Sequence, residues 1–455
     1  MISIEDFMHI IIIGNGIAGS TAARHIRKLS DHKITMISSE TQYPFSRTAL
    51  MYIYMGHMKF EHTKLYEDWF WQKNRIDIVN GHVNHIDTDQ NSIQLSDGTV
   101  MQFDKLIIAT GSKSNKFGWP GQDLHGVQGL YHLQDLESME AISQHGIDRA
   151  IIVGGGLIGI EMAEMLHSRH IPVTMLVRED SFWNVVLPPE ESQMINRHIL
   201  ANGIDLRLEE ELLEIKGKDG KASAVVCKNT GEEIHCEFVG LTVGVSPNIG
   251  FVKSSDIQTN RGVLVNSTLQ TSVPNIFAIG DCAELSSPND GRRNIEAVWY
   301  TGRMMGETVA KTICGKETKY DPGVWFNSAK FFDIEYQVYG DMPAKLPDEI
   351  ESLYWQHPLE NKAIRINFDT QTKAVTGFNL MGVRYRHAVC EKWISDQLHI
   401  ESVLQNLSLA NFDPEFFEQY EGELLKMYQQ KTGKSLKSIS KRKLSLVEKF
   451  LIERR

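Results

Sequence analysis

Short apolar runs that end in glycine set the hydrophobic pattern in the N-terminal half of the chain. The first run, Ile10–Ile13, predicts a strand buried on both faces. Residues 14–19, Gly-Asn-Gly-Ile-Ala-Gly, then allow a tight turn and a close approach of the backbone to a pyrophosphate. A helix that begins near Gly16 would direct its amide groups and the positive end of its dipole at the phosphates. The pattern therefore predicts a strand, a turn and a helix that bind a nucleotide.

A second apolar strand, Ile34–Ile37, is followed by Glu40. A carboxylate that follows the glycine turn at this spacing and ends the second strand accepts hydrogen bonds from an adenosine ribose. The alternative is an ordinary exposed loop acid. Arg47 follows Pro44, which stops any strand, and its guanidinium either returns to the pyrophosphate or is a solvated loop charge.

The same pattern recurs further along the chain, where the strand Ala150–Val153 leads into residues 154–159, Gly-Gly-Gly-Leu-Ile-Gly. Two such units at domain-sized separation predict either two nucleotides or a duplicated fold in which one site has decayed. The next strand, Val173–Val177, is followed by Arg178. A guanidinium at that position tolerates the 2′-phosphate of NADP, but the neighbouring Glu179 leaves the choice between NADH and NADPH open.

Two more strands end in residues suited to a ligand. The run at residues 103–108 leads to Ala109-Thr110-Gly111, whose small side chains leave space beside the backbone, although a buried strand that enters a turn looks the same. Asp281 follows the run at residues 276–279, at the carboxyl end of that strand. Open parallel sheets bind ligands at this edge. Asp281 is alternatively a helix N-cap.

The C-terminal part has a different pattern. Strands at Glu335–Tyr339, Ala363–Phe368 and Val375–Leu380 alternate as in a half-buried antiparallel sheet, and helices follow from Arg386. Residues 431–455 hold nine basic and two acidic side chains. Leu444, Val447 and Leu451 fall on one helical face among these charges. Such a helix docks an acidic partner or a membrane surface, or packs on its own acidic protein, which is the outcome we expect.

Composition narrows the function classes. At 455 residues, two or three domains are expected, and a net charge of −11 argues against general nucleic-acid binding. Five cysteines without CxxC spacing predict reduced, mostly buried thiols, and the histidines lack the paired spacing of a metal site. No apolar run approaches the length of a transmembrane helix, and the first residues lack the pattern of a secretory signal. We therefore expect a cytoplasmic protein.

Together, these motifs resemble the FAD-dependent pyridine nucleotide-disulfide oxidoreductase superfamily, closest to its ferredoxin/rubredoxin reductase-like and NADH oxidase-like branches. The resemblance rests on the two Gly-x-Gly-x-x-Gly turns, Glu40, Ala109-Thr110-Gly111 and Gly280-Asp281. It implies an α/β fold with two Rossmann-like, doubly wound, three-layer dinucleotide-binding domains, an α+β C-terminal interface domain and a helical tail. The implied boundaries are 1–117 with 244–318 for FAD, 118–243 for NAD(P), 319–400 for the interface domain and 401–455 for the extension.

The resemblance also assigns cofactor contacts. It implies that FAD is contacted by Gly14, Asn15, Gly16, Ile17, Ala18, Gly19, Glu40, Arg47, Val83, Ala109, Thr110, Gly111, Gly280 and Asp281. It implies that NAD(P) is contacted by Gly154, Gly156, Leu157, Ile158, Gly159, Glu161, Arg178 and Gly244, with Glu161 near the nicotinamide.

Departures from the family pattern narrow the chemistry. No cysteine precedes Cys227, which excludes a dithiol relay and cysteine sulfenate chemistry beside the flavin. The loop Tyr-Pro-Phe-Ser-Arg at 43–47 favours the electron-transferring branch. However, the lysine that this branch often carries is Tyr52 here, and its Trp-Ser-Asp flavin cover is replaced near Phe326–Lys330, so the electron acceptor stays open.

The resulting expectation is hydride transfer from NAD(P)H to flavin N5, followed by electron transfer to a small redox protein such as a ferredoxin-like protein. No side-chain nucleophile or general base is needed, because the cofactor supplies the chemistry and the protein supplies alignment. The alternatives are an NAD(P)H oxidase that reduces oxygen and a slow redox-sensing flavoprotein that acts by binding partners. We also expect a homodimer through the C-terminal domain.

Overall fold

The computed structural model describes residues 7–289 and 291–438. The chain divides into two compact units. Unit 1 consists of Met1–Leu176 and Glu210–Pro322, and unit 2 consists of Val177–Glu209 and Gly323–Arg455. Both glycine turns predicted from the sequence lie in unit 1.

The α-helices of the described residues are α1 (Ile17–Leu29), α2 (Leu50–Tyr54), α3 (Asp68–Lys73), α4 (Leu133–Ser143), α5 (Leu157–His167), α6 (Pro189–Ala201), α7 (Trp299–Ile313), α8 (His387–Ser395), α9 (Ile400–Gln405) and α10 (Glu421–Thr432).

The strands of the first half are β1 (His9–Ile13), β2 (Lys33–Ser38), β3 (Ile76–Asn80), β4 (Val83–Asp87), β5 (Ser92–Leu95), β6 (Val100–Gln102), β7 (Lys105–Ile108), β8 (Ser112–Ser114), β9 (Val127–Gln128), β10 (Ala150–Val153), β11 (Val173–Val177), β12 (Asp205–Leu208) and β13 (Leu212–Lys218). Those of the second half are β14 (Lys221–Cys227), β15 (Glu233–His235), β16 (Phe238–Leu241), β17 (Val245–Pro247), β18 (Val263–Val265), β19 (Ile276–Ala278), β20 (Ala283–Leu285), β21 (Phe326–Phe331), β22 (Ile334–Gly340), β23 (Ile350–Gln356), β24 (Ala363–Asp369) and β25 (Val375–Met381).

The first parallel sheet of unit 1 has the order β19-β7-β1-β2-β3. Strand β1 is central, and its four isoleucines are buried, as predicted for a strand covered on both faces. Helices α1 and α7 pack closely on one another in this layer. A Cβ added at Gly306 of α7 would lie 2.6 Å from the carbonyl oxygen of Ala18 on α1, so the small residue permits the close packing. The pairing of β7 with β19 brings residues 276–278 to the same sheet as β1.

The second parallel arrangement of unit 1 is centred on β10, which pairs with β11 on one side and β16 on the other. Strand β16 in turn pairs with β9. Helix α5 follows β10 and contacts β10 and β16. Two antiparallel sheets, β4-β5-β6 and β13-β14-β15, complete the larger elements of this unit. Unit 1 therefore contains two strand–turn–helix units of the predicted Rossmann-like kind.

Unit 2 is built on an antiparallel sheet with the order β21-β22-β25-β24-β23. Its apolar face packs against α8, α9 and α10 in one core, to which Ile364, Ile366, Phe378 and Leu380 contribute fully buried side chains. This confirms the α+β C-terminal part predicted from the alternating pattern. The predicted basic face with Leu444, Val447 and Leu451 lies outside the described residues.

Helix α6 also belongs to unit 2, with Pro189 at its start and Asn202 at its C-cap. Its Glu191 is fully buried and forms a bidentate ion pair with Arg365 of β24. Arg365 Nε donates to Oε1 at 2.8 Å, and Nη2 donates to Oε2 at 2.9 Å. The sequence pattern did not predict this pair. Within the described residues, no helix is long and apolar enough to cross a membrane.

Candidate functional site

The first glycine turn has the geometry that its spacing predicts. Gly14 has φ +112°, and a Cβ there would overlap the carbonyl oxygen of Ala109. A Cβ at Gly19 would overlap the carbonyl oxygen of Gly14. In contrast, a Cβ at Gly16 would meet nothing within 4 Å, and Gly16 is the N-cap of α1 without a side-chain cap. Two glycines are therefore required by the fold, and the third leaves open space at a helix N-terminus, the feature that a pyrophosphate needs.

The neighbouring residues tie this turn to the following loop. The buried Asn15 donates from Nδ2 to the carbonyl oxygen of Thr41 at 2.8 Å. Ile17 and Ala18 form the first turn of α1, and a Cβ added at Gly280 would lie 3.0 Å from that of Ala18. The Gly280-Asp281 turn and the glycine turn are therefore neighbours in unit 1.

Glu40 is the most strongly held acid of this region. Its carboxylate accepts hydrogen bonds from Arg47 at 2.6 and 2.9 Å and from the amide of Leu133 at 2.8 Å, and His132 Nδ1 lies 3.5 Å away. Burial opposes the charge, but the hydrogen bonds from His132 and Arg47 outweigh it and lower the pKa of Glu40 to about 2. Glu40 is therefore an ionised, largely buried acceptor and not an exposed loop acid.

Arg47 is likewise not a solvated loop charge. Arg47 forms an ion pair with Glu40, and its guanidinium carbon lies 4.5 Å from the ring centre of Tyr131 and 5.4 Å from that of Phe45. Nη1 also donates to the carbonyl oxygen of Tyr131. These contacts fix the guanidinium beside the acid that is predicted to bind the ribose.

Asp281 lies in a 3₁₀ turn, Gly280–Cys282, at the carboxyl end of β19. Its Oδ2 accepts a hydrogen bond from the hydroxyl of Tyr131 at 3.1 Å, and burial raises the pKa of the Asp281 carboxyl. The N-cap of that turn is Ile279, so the alternative of a capping role for Asp281 at this turn does not hold.

The remaining predicted flavin contacts also lie in unit 1. The carbonyl oxygen of Gly111 accepts from the amide of Asn248 at 2.9 Å, and Thr110 Oγ1 donates to the carbonyl oxygen of Asn248 at 2.8 Å. Ala109 is buried against the glycine turn. Val83 on β4 has a buried side chain in the core of unit 1, which leaves only its backbone for a ligand contact.

The residues that sequence reasoning missed are Tyr131, His132 and Leu133. They precede or begin α4, a stretch assigned to the NAD(P) domain, yet they contact Glu40, Arg47 and Asp281. The available local signal was Asp135, whose carboxylate accepts from the amides of Tyr131 and His132 and so marks a helix start. That signal predicts a helix but not its neighbours.

The second glycine turn repeats the geometry of the first. Gly154 has φ +121°, and a Cβ there would lie 2.6 Å from the carbonyl oxygen of Thr242. A Cβ at Gly159 would lie 2.5 Å from the carbonyl oxygen of Gly154, whereas one at Gly156 would meet nothing within 4 Å. The retained geometry argues against decay of the second site.

The other predicted NAD(P) contacts are less enclosed. Leu157, Ile158 and Glu161 are half-buried along the first two turns of α5. Gly244 has φ +86°, and its carbonyl oxygen accepts from the amide of Asn115 at 3.1 Å. Arg178, in unit 2, is largely exposed and pairs with the adjacent Glu179 at 2.6 Å.

The first turn fits a dinucleotide such as FAD on these observations. Gly16 leaves open space at the N-terminus of α1, and a largely buried carboxylate stands at each of two strand ends of the same sheet, Glu40 after β2 and Asp281 after β19. Carboxylates at such strand ends accept hydrogen bonds from ribose or ribityl hydroxyls.

Comparisons with known proteins agree with this geometry. Residues 8–306 match the family described as pyridine nucleotide-disulphide oxidoreductase. The chain is 31% identical over 339 residues to the ferredoxin–NAD(+) reductase component of the p-cumate 2,3-dioxygenase system of Pseudomonas putida, covering 74% of this chain and 82% of that one. It is 30% identical over 340 residues to an NADH oxidase of Methanocaldococcus jannaschii, covering 72% of this chain and 75% of that one.

Two further comparisons bear on length and fold. The chain is 29% identical over 309 residues to the assimilatory nitrate reductase electron transfer subunit of Bacillus subtilis, covering 67% of this chain but only 39% of the length of that relative. The crystal structure of a ferredoxin reductase from Rhodopseudomonas palustris superposes with a TM-score of 0.76 at 22% identity, covering 92% of this chain and 99% of that one. The chain therefore belongs to the pyridine nucleotide-disulphide oxidoreductase family, and it is an oxidoreductase that uses FAD and NAD(P)H.

Proposed function

We propose that the chain transfers hydride from NAD(P)H to N5 of FAD and then passes electrons to a small redox protein such as a ferredoxin-like protein. The observation that carries the proposal is the pair of intact glycine turns in one compact unit, of which the first is surrounded by Glu40, Arg47 and Asp281. FAD, when bound, supplies the ability to accept a hydride and to release electrons one at a time.

The protein's own contribution is to bind and align the two nucleotides. The first turn of α1 would hold the FAD pyrophosphate, Glu40 the adenosine ribose and Asp281 the ribityl hydroxyls, with Arg47 as the positive charge beside them. The first turn of α5 would hold the pyrophosphate of NAD(P)H. This alignment requires no side-chain nucleophile or general base.

Cysteine chemistry does not contribute to this proposal. No cysteine precedes Cys227 in the sequence, and Cys282, next to Asp281, is fully buried. Its Sγ lies 3.4 Å from the carbonyl oxygen of Ile108, and burial raises the pKa of the thiol. A protonated, inaccessible thiol is a poor nucleophile, which supports direct transfer from the flavin to the acceptor.

We also propose the domain organisation that the resemblance implies, with 1–117 and 244–318 for FAD, 118–243 for NAD(P), 319–400 as the interface domain and 401–455 as the extension. The pairing of β7 with β19 supports the discontinuous first domain, because it joins the two sequence segments in one sheet. A homodimer through 319–400 and packing of the basic tail on its own protein, instead of on a partner, belong to the same proposal. Sedimentation of the full chain and of a chain that ends at residue 438 tests both.

The proposal is tested by anaerobic mixing of the purified protein with NADH and then NADPH while the visible flavin band is recorded. Bleaching by either nucleotide, followed by recovery on addition of an oxidised ferredoxin-type protein, is the expected result. The absence of bleaching with both nucleotides would contradict the proposal.

A second candidate, an oxidase that reduces oxygen, is favoured by the 30% identity to an NADH oxidase. The two candidates separate in air. An oxidase consumes NAD(P)H at a rate that added acceptor does not raise, whereas a reductase is slow until the acceptor is present.

A further inference from the structure

One side chain contacts the polar groups at both ends of the predicted flavin site. Tyr131 donates its hydroxyl to Asp281 Oδ2 at 3.1 Å and accepts from the amide of Ser112 at 2.9 Å. The centre of its ring lies 4.5 Å from the guanidinium carbon of Arg47, and this guanidinium donates two hydrogen bonds to the Glu40 carboxylate. Tyr131 therefore connects the acid predicted at the adenosine ribose with the acid predicted at the ribityl chain.

The position of Tyr131 is fixed by its own backbone and by a glycine. Its amide donates to the Asp135 carboxylate at 2.8 Å, which sets the start of α4. A Cβ added at Gly111, where φ is +64°, would lie 2.8 Å from the phenol oxygen. The glycine of the Ala-Thr-Gly turn therefore makes room for Tyr131, a role that the sequence pattern did not indicate.

Charge and burial explain why Asp281 needs this donor. Burial raises the pKa of Asp281, and the hydrogen bond from Tyr131 and the positive charge of Arg47 act in the opposite direction. Burial and the nearby Asp281 also raise the pKa of the Tyr131 phenol, so it stays a donor at neutral pH. The Ser112 side chain also lowers the pKa of Asp281, and the neighbouring Cys282 is a buried thiol whose pKa is raised by burial.

We propose that Tyr131 is a positioning residue of the FAD site, whose phenol orients the Asp281 carboxylate and whose ring holds the Arg47 guanidinium. The inference rests on the proposed binding of FAD in unit 1. Tyr131 lies in the stretch assigned to the NAD(P) domain. A residue of that stretch would therefore complete the FAD site.

The test is a titration of the deflavinated protein with FAD, followed by quenching of flavin fluorescence. We expect Tyr131→Phe to raise the Kd for FAD about tenfold or more, because a hydrogen bond to a charged group is lost. Tyr320→Phe is the matched control, since Tyr320 is a buried tyrosine of unit 1 whose hydroxyl has no hydrogen-bond partner among the described residues. Its Kd should stay within about twofold of the wild type.

The pH profile separates positioning from packing. An ionised Asp281 is the better acceptor for sugar hydroxyls, so the Kd rises as pH falls through its pKa. Loss of the donor raises that pKa further, and the rise in Kd should therefore occur at higher pH in Tyr131→Phe. A variant that only packed less well would bind more weakly by the same factor at every pH.

A double-mutant cycle gives the second measurement. If Tyr131 acts through Asp281, Tyr131→Phe should add little to Asp281→Asn, whereas independent effects would multiply. Should Tyr131→Phe fail to fold, as judged by circular dichroism of the apoprotein, Tyr131→Gln and Tyr131→Leu replace it. The glutamine keeps a donor and should bind FAD more tightly than the leucine; equal affinity would overturn the proposal.

The outcomes for the two proposals are distinct. A wild-type protein that does not bind FAD contradicts the proposed function itself. If the wild-type protein binds FAD but Tyr131→Phe and Tyr320→Phe have the same Kd for FAD at every pH, the role of Tyr131 is overturned. The proposed function is not contradicted by that result.

Discussion

The two glycine turns share their backbone geometry but differ in their charged groups. The first is accompanied by Glu40 and Asp281, which are largely buried and bonded to Arg47 and Tyr131 respectively. The charged residue predicted to read the second ribose, Arg178, is largely exposed and forms an ion pair with the adjacent Glu179. Buried, preorganised partners favour a nucleotide that stays bound, and exposed ones favour a nucleotide that exchanges. From this difference we propose a resident cofactor at the first turn and a cosubstrate at the second.

The largest effect is expected at Gly14. Gly14→Ala places a Cβ against the carbonyl oxygen of Ala109 at a φ of +112°, so we expect destabilisation by about 3 kcal/mol and loss of FAD. Flavin absorbance per chain and the Tm of the apoprotein measure both. Gly16→Ala is the control, since its Cβ meets nothing within 4 Å at a φ of −65°. It should lower FAD content and leave the apoprotein Tm unchanged; a large drop in its Tm would contradict the assignment of Gly16 to the ligand.

The second effect concerns acid stability. The pKa of Glu40 is lowered from an ordinary value of 4.5 to about 2, so its ionised form contributes about 3 kcal/mol of stability above pH 4.5. This contribution is lost as pH falls from 4.5 through about 2. Apoprotein carrying Glu40→Gln should be less stable at neutral pH and should lack this loss on acid titration. Glu137→Gln, at an exposed acid of α4, should behave as the wild type.

Part of this comparison was predictable from sequence and part was not. The turns at Gly14 and Gly154 and strand β1 depend on residues adjacent in the chain, so local patterns predicted them. The contacts of Tyr131 with Arg47 and Asp281 join residues 84 and 150 positions apart. No local pattern encodes such pairs, because only the folded sheet brings them together. The buried ion pair of Glu191 with Arg365 in unit 2, 174 positions apart, was missed for the same reason.

A smaller effect is expected at the second turn. Gly156→Ala fills the open space at the start of α5 without a clash in the protein. The KM for NAD(P)H should rise about tenfold, as one pyrophosphate contact is lost, while FAD content and Tm stay at wild-type values. Steady-state kinetics with an artificial acceptor measure this change. Loss of FAD in this variant would show that the two turns do not serve separate nucleotides.

The smallest effect is expected at Arg178. Because the side chain is exposed, Arg178→Gln should change the free energy of unfolding by less than about 0.5 kcal/mol. If the guanidinium meets a 2′-phosphate, the KM for NADPH should rise about threefold to tenfold with that for NADH unchanged. Equal changes for both nucleotides would remove Arg178 from the choice between them.

Flavin retention shows whether one nucleotide is resident while the other exchanges. After prolonged dialysis of the native protein, its visible spectrum is recorded before and after anaerobic addition of NADH or NADPH. We expect a yellow protein that keeps its FAD and bleaches with at least one of the two nucleotides. A colourless protein that takes up no FAD on reconstitution would contradict it.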